Sequence, residues 1–209
     1  LVLPVELRTG NTGGANHGEG DDYPTASRNS YSASFNLSQV MTKRLQMLFV
    51  LDLVKQDGFL GLPFHRVYFT DGSVKSEHLP SSRFKIPVGL RANYFLGDKI
   101  VLRSFYRFYH DDWGLNAHTI DFEATYKITP FVSVTPFYRY YNQSAINYFA
   151  PYAIHNKATD EFYTSNYDLS KFNSNFFGAG LRFAPPKGVF GIEHWHMIEI
   201  RYGHYNRPT

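Results

Sequence analysis

The densest grouping of side chains able to do chemistry is His110-Asp111-Asp112-Trp113, with His118 a few residues on. Imidazoles and carboxylates this close together can hold a metal ion or pass a proton as acid and base. The same residues also spell a turn, because Asp favours tight reversals and a Trp at a strand end suits an interfacial belt. His194 and His196 share one face if they lie in a strand, where they could chelate a metal; beside Trp195 they better suit the periplasmic interface. No Gly-x-Ser-x-Gly or other nucleophile signature is present. Cys is absent, which removes thiolate ligands, thiol nucleophiles and disulfides. No cofactor is implied.

A second grouping is spread along the chain: Arg91, Arg103, Arg107, Arg139, Arg182 and Arg201 with Asp121, Glu123 and Glu199, joined by Arg83, Lys85 and Lys127. Each occupies the polar parity of a stretch whose alternate residues are apolar. If those stretches are successive strands, Arg103, Arg107, Asp121, Glu123 and Arg139 form a cross-strand ladder of charges. Such a ladder can brace a plugged lumen by ion pairing, or guide ions, and an excess of Arg biases a pore toward anions.

The elements that must position these residues are strands. From Arg83 to Gln143 the chain reads as four of them with period two: Ile86, Val88, Leu90 and Leu102, then Phe122, Val134 and their neighbours, oppose the charged set. Leu96-Gly97-Asp98-Lys99 and Thr129-Pro130-Phe131 are short turns, and His110 to Asn116 is a medium loop. Upstream, Leu1 to Arg8 reads as a strand whose start is cut off, and Thr9 to Asn29 as a polar loop. A hairpin follows from Ser30 to Gln56 around Thr42-Lys43-Arg44. Downstream, Asn173 to Ala184 and Trp195 to Asn206 close the series, with Ile198 and Ile200 on the apolar parity. Asp57 to Ser82 and Ser144 to Lys171 are long connections. The chain thus carries about nine strands of roughly 10 to 12 residues, the length a tilted strand needs to cross a bilayer.

Composition agrees. The 209 residues include 16 Tyr and 19 Phe, an aromatic content that favours strands, and no composition break divides 1–209 into domains. No run of 18 apolar residues exists to make a transmembrane helix, a test to which a barrel is blind. A net charge of +3 is too small to imply nucleic acid. No signal peptide is visible at the start of the chain. Long and short connections alternate, as they do where an outer-membrane barrel puts tight turns on the periplasmic side and loops outside. Alternation alone leaves open a soluble, ligand-binding barrel with its apolar face inward. Aromatics near strand ends (Tyr94, Phe108, Tyr126, Tyr140, Tyr202) and a polar face rich in Gly, Ser and Asn favour the membrane form.

Several segments carry a family resemblance: Leu79 to Phe95, Tyr106-Arg107-Phe108-Tyr109-His110-Asp111-Asp112-Trp113-Gly114, Pro136-Phe137-Tyr138-Arg139-Tyr140-Tyr141, Ala184-Pro185-Pro186-Lys187-Gly188 and Glu199 to Tyr205. Together they resemble the C-terminal half of uncharacterised outer-membrane proteins of the Bacteroidota, described only as a domain of unknown function. That resemblance implies a barrel, with no established activity or catalytic residues. The expectation is therefore an all-β, antiparallel, up-and-down transmembrane barrel, present in part, in the outer membrane of a Gram-negative bacterium. Its partners would be outer-membrane lipid and envelope lipoproteins or other outer-membrane subunits. Its role would be a channel with a basic lumen or a component of a cell-envelope complex; an outer-membrane enzyme or metal-binding barrel is the alternative. The first and last strands are expected to pair with strands outside this sequence rather than with each other.

Overall fold

A computed structural model describes residues 27–192 and 194–208. The predicted strand Leu1–Arg8 and most of the loop after it lie outside the described residues. Eight long strands form one antiparallel sheet in meander order: β1 (Arg28–Thr42), β2 (Leu45–Gly58), β5 (Ser82–Leu96), β6 (Ile100–Asp111), β7 (Asn116–Lys127), β8 (Val132–Gln143), β9 (Phe172–Phe183) and β10 (Ile198–Asn206). Two short strands, β3 (Arg66–Tyr68) and β4 (Val74–Ser76), form a separate hairpin between β2 and β5. Among the described residues there is no α-helix, and no helix long and apolar enough to cross a membrane. No pairing joins β1 to β10 among them.

Register separates the two parities cleanly. Glu123 pairs with Arg103, which neighbours Asn93 on β5; on its other side it pairs with Phe137, then Gly178, then Gly203. One row along, Arg91, Phe105, Asp121, Arg139 and Phe176 follow each other from β5 to β9. The opposite face carries Leu90, Tyr106, Ile120, Tyr140 and Asn175 in the same way. Because a strand's side chains alternate, this register leaves no apolar residue of the predicted set on the charged face.

The ends of the sheet differ. At one end the tight turns are tied to adjacent strands, Phe95 N–H to Arg44 O, Lys127 N–H to Lys99 O and Ala184 N–H to Phe131 O. At the other, 59–81 and 144–171 build a folded layer. Phe69 bridges His155, His78 bridges Tyr163, and Asn147 N–H donates to Trp113 O. Leu79, Trp113, Leu115, Ala117 and Ile146 bury each other there. The sheet itself has no such core, and large apolar residues stay exposed along its greasy face, up to 73% for Tyr202. Among the described residues, most buried apolar side chains therefore lie in the loop layer.

That layer corrects two expectations. Trp113, expected in an interfacial belt, is 2% exposed: its Nε1–H donates to Ser82 O (2.9 Å), and the Arg83 guanidinium lies 4.3 Å above its ring. The loop expected from His110 to Asn116 is a tight turn, because β6 runs on to Asp111 and β7 begins at Asn116. Gly114, at φ +87°, supplies the left-handed corner and donates its N–H to Asp111 O.

Candidate functional site

The charged face is held together by Glu123. Its Oε1 accepts from Arg103 Nη1 on the neighbouring strand (2.5 Å), and its Oε2 accepts from Arg201 Nη2 on β10 (2.8 Å). Strands sit about 4.8 Å apart, so β7 and β10 are about 14 Å apart along a flat sheet. Side chains stand roughly perpendicular to a sheet, so their tips meet over that span only if the sheet curls toward them. The charged face is concave and the apolar face convex.

Glycine makes room for that curl. A Cβ on Gly178 would lie 2.0 Å from Tyr202 O and 2.7 Å from Phe137 Cζ; one on Gly203 would lie 2.6 Å from Phe176 Cε2. The Phe137 and Phe176 rings occupy the space side chains would take, and Arg201 rests 5.0 Å from the Phe137 ring. Arg139 Nε donates to Asp121 Oδ1, Arg201 Nε lies 3.7 Å from Glu199 Oε1, and Arg91 sits 5.3 Å from the Phe105 ring. These groups wall a cleft formed by Arg91, Arg103, Asp121, Glu123, Arg139 and Arg201 with Phe105, Phe137 and Phe176. Arg107 and Arg182 share the face, with no ion partner among the described residues. Cations outnumber carboxylates, so the cleft attracts anions, and its rings offer flat apolar surface.

The His and Asp grouping is not brought together. Asp111 is 1% exposed and wholly occupied: it accepts from Arg83 Nε (2.9 Å), Tyr109 OH (2.8 Å), Trp113 N–H (3.0 Å) and Leu115 N–H (3.1 Å). His110 and His118 point to the opposite face, bonded to Asn116 Oδ1 and Tyr106 OH at 2.8 Å each. Asp112 is exposed in the turn. Asp111 thus organises the turn and fixes Arg83 over Trp113. His194 and His196 precede β10, which begins at Ile198 rather than at Trp195. No group of three metal-ligating side chains occurs among the described residues.

The loop layer holds a polar cluster the sequence did not single out. Buried His155 presents Nδ1 to Asp160 Oδ2 (2.8 Å) and Nε2 to Thr164 O (3.0 Å). Buried Glu77 accepts from Thr164 Oγ1 (2.7 Å) and Leu62 N–H. The hydrogen bond from His155, with those of Asn156 N–H and Thr159, holds the Asp160 carboxyl below its ordinary range. These contacts tie 59–78 to 155–164. Residues so far apart in sequence left no periodic signal by which to find them.

A family described as "Protein of unknown function (DUF3570)" matches residues 12–204. The chain belongs to that family. No curated protein and no solved structure matches it. For this DUF3570 chain the function must be argued from the two faces of the sheet and its loop layer.

Proposed function

We propose that this DUF3570 chain forms the wall of an outer-membrane β-barrel in a Gram-negative envelope, with its convex face in lipid and its basic concave face lining the lumen. One observation carries the reading: the large exposed residues of the convex face are Leu, Ile, Phe and Tyr, while the charges of the strands, apart from the Lys55–Asp57 pair at the loop end of β2, lie on the other side. In water a continuous apolar surface of this extent invites aggregation; in a bilayer it is the required surface. Strands of 9 to 15 residues match the hydrocarbon thickness, and a meander satisfies backbone groups strand to strand. Surplus guanidiniums in the lumen favour passage or capture of anions.

A second role in the same barrel, as a structural component of a larger envelope assembly with lipoproteins or other outer-membrane subunits, draws support from the bracing. Asp121 and Glu123 are both engaged by Arg, and rings fill the space over the glycines, which narrows the lumen. Reconstitution separates the possibilities. The chain should insert into phospholipid vesicles and migrate on gels as a heat-modifiable species; in planar bilayers under a salt gradient, an open lumen gives an anion-selective reversal potential. Insertion without conductance favours the assembly role. A chain that stays soluble and monomeric without detergent would refute the membrane reading.

A further inference from the structure

The connection from β9 to β10 at the short-turn end, over its described residues 184–192 and 194–197, presents apolar side chains outward in a way its own packing does not require. Val189 is fully buried, and its N–H donates to Trp195 O (2.7 Å). Trp195 N–H in turn donates to Ile192 O (3.0 Å), so the segment is a closed, bonded turn. Next to buried Val189, Phe190 is 82% exposed and held at φ +56°, a left-handed conformation costly for a bulky residue. Ile192, Trp195 and Met197 are exposed beside it.

Two features say what medium meets these side chains. They lie next to the end of the convex apolar face, since β9 ends and β10 begins here with Phe183 paired to Ile198, and exposed Ile200 and Tyr202 follow along β10. The same end carries exposed cations, Lys43 and Arg44 in the first turn, Lys99 in the second, then Lys127 and Lys187, which outnumber the exposed Asp98 among them. Apolar and aromatic groups flanked by cations match a phospholipid interface, where rings lie at the glycerol level and ammonium and guanidinium groups meet phosphate.

We propose that 184–192 and 194–197 form an interfacial anchor that seats Phe190, Ile192, Trp195 and Met197 in the phospholipid leaflet at the short-turn end, with the neighbouring Lys and Arg on the headgroup phosphates. The proposal rests on the membrane reading and adds to it a depth and an occupant. Trp113 is buried in the loop layer at the other end, so the emission lost in Trp195→Phe isolates Trp195. The full chain is reconstituted in vesicles of dioleoylphosphatidylcholine with a minor share of dioleoylphosphatidylglycerol, with or without lipids brominated near the glycerol or near the chain ends. Bromine near the glycerol should remove most of the Trp195 emission, bromine near the chain ends much less, and acrylamide little. Phe190→Ser should weaken that quenching and shift the emission to longer wavelength. Inserted protein whose Trp195 is quenched by acrylamide and untouched by bromine would overturn the anchor, leaving the segment to water or to a soluble partner. Failure to insert at all overturns the membrane reading, and the anchor with it.

Discussion

Arg201 on β10 reaches Glu123 on β7 across two intervening strands and closes a bond of 2.8 Å. Glu123 also holds Arg103, so one carboxylate is shared by two guanidiniums about half exposed to solvent. Pairs this accessible contribute little to stability, about 0.2–1 kcal/mol each. The larger consequence of Glu123→Gln is electrostatic: one negative charge leaves the face, and Arg201 keeps only the longer contact with Glu199. If the concave face lines a conducting lumen, reversal potentials under a salt gradient should move further toward the anion value, with thermal stability nearly unchanged. An unchanged or cation-shifted potential would place Glu123 away from the ion path.

The curl that brings Arg201 to Glu123 depends on Gly178. A methyl group there meets Tyr202 O at 2.0 Å, and backbone cannot swing aside as a side chain can. Gly178→Ala should therefore cost at least the 1–3 kcal/mol typical of overpacking, and should weaken the β9–β10 pairing first. Urea unfolding in detergent measures the loss, and faster exchange of the β10 amides locates it.

Asp111 serves the loop layer in a comparable way. Removing the carboxylate in Asp111→Ala leaves Arg83 a poorly solvated cation and frees two backbone N–H groups of the turn, a loss on the order of 3–5 kcal/mol for a buried pair. Trp113 should then become accessible to aqueous quenchers while the strand signal in far-ultraviolet circular dichroism persists.

Acid should loosen the same layer by another route. The Asp160 carboxyl is held below its ordinary value of 3.8, so folding favours the charged form. The stabilisation is complete above the unfolded value and is lost as pH falls through the lowered one. Protection of the 155–164 amides, measured against their intrinsic exchange rates, should fall below about pH 4 in the wild type, and Asp160→Asn should show the lower protection already at neutral pH. Equal pH profiles for the two proteins would remove Asp160 from the account.

How much of this was legible in the residues follows from period and distance. Strand parity, the hairpin at Thr42-Lys43-Arg44 and the turns at Leu96–Lys99 and Thr129–Phe131 are local patterns, and a period of two announces them directly. The loop layer has no period: Trp113 meets Tyr148, and Glu77 meets Thr164, only after the long connections fold back on each other. Asp111 reads first as a turn residue and only second as a ligand, because composition cannot tell a carboxylate offered to a metal from one saturated by four neighbouring groups of its own chain. Gly178 and Gly203 read as a crowded polar face, and the rings that crowd it became visible only with the register of β8 and β9.

The sharpest test of the membrane reading uses two adjacent residues. Ile120 and Thr119 are neighbours on β7, at the middle of the sheet; register sets Ile120 beside Tyr106 and Tyr140 on the convex face and Thr119 beside Arg107 and Tyr141 on the concave one. In a bilayer, Arg in place of Ile120 faces hydrocarbon near the midplane and should cost about 2–4 kcal/mol, whereas Arg in place of Thr119 faces the lumen and should cost far less. In water the order reverses. Ile120 is already exposed, so Ile120→Arg would be neutral or favourable, while Thr119→Arg would add a cation beside Arg107. Folding titrations of both variants in phospholipid vesicles decide between the two media by the sign of their difference, independently of any activity the chain performs.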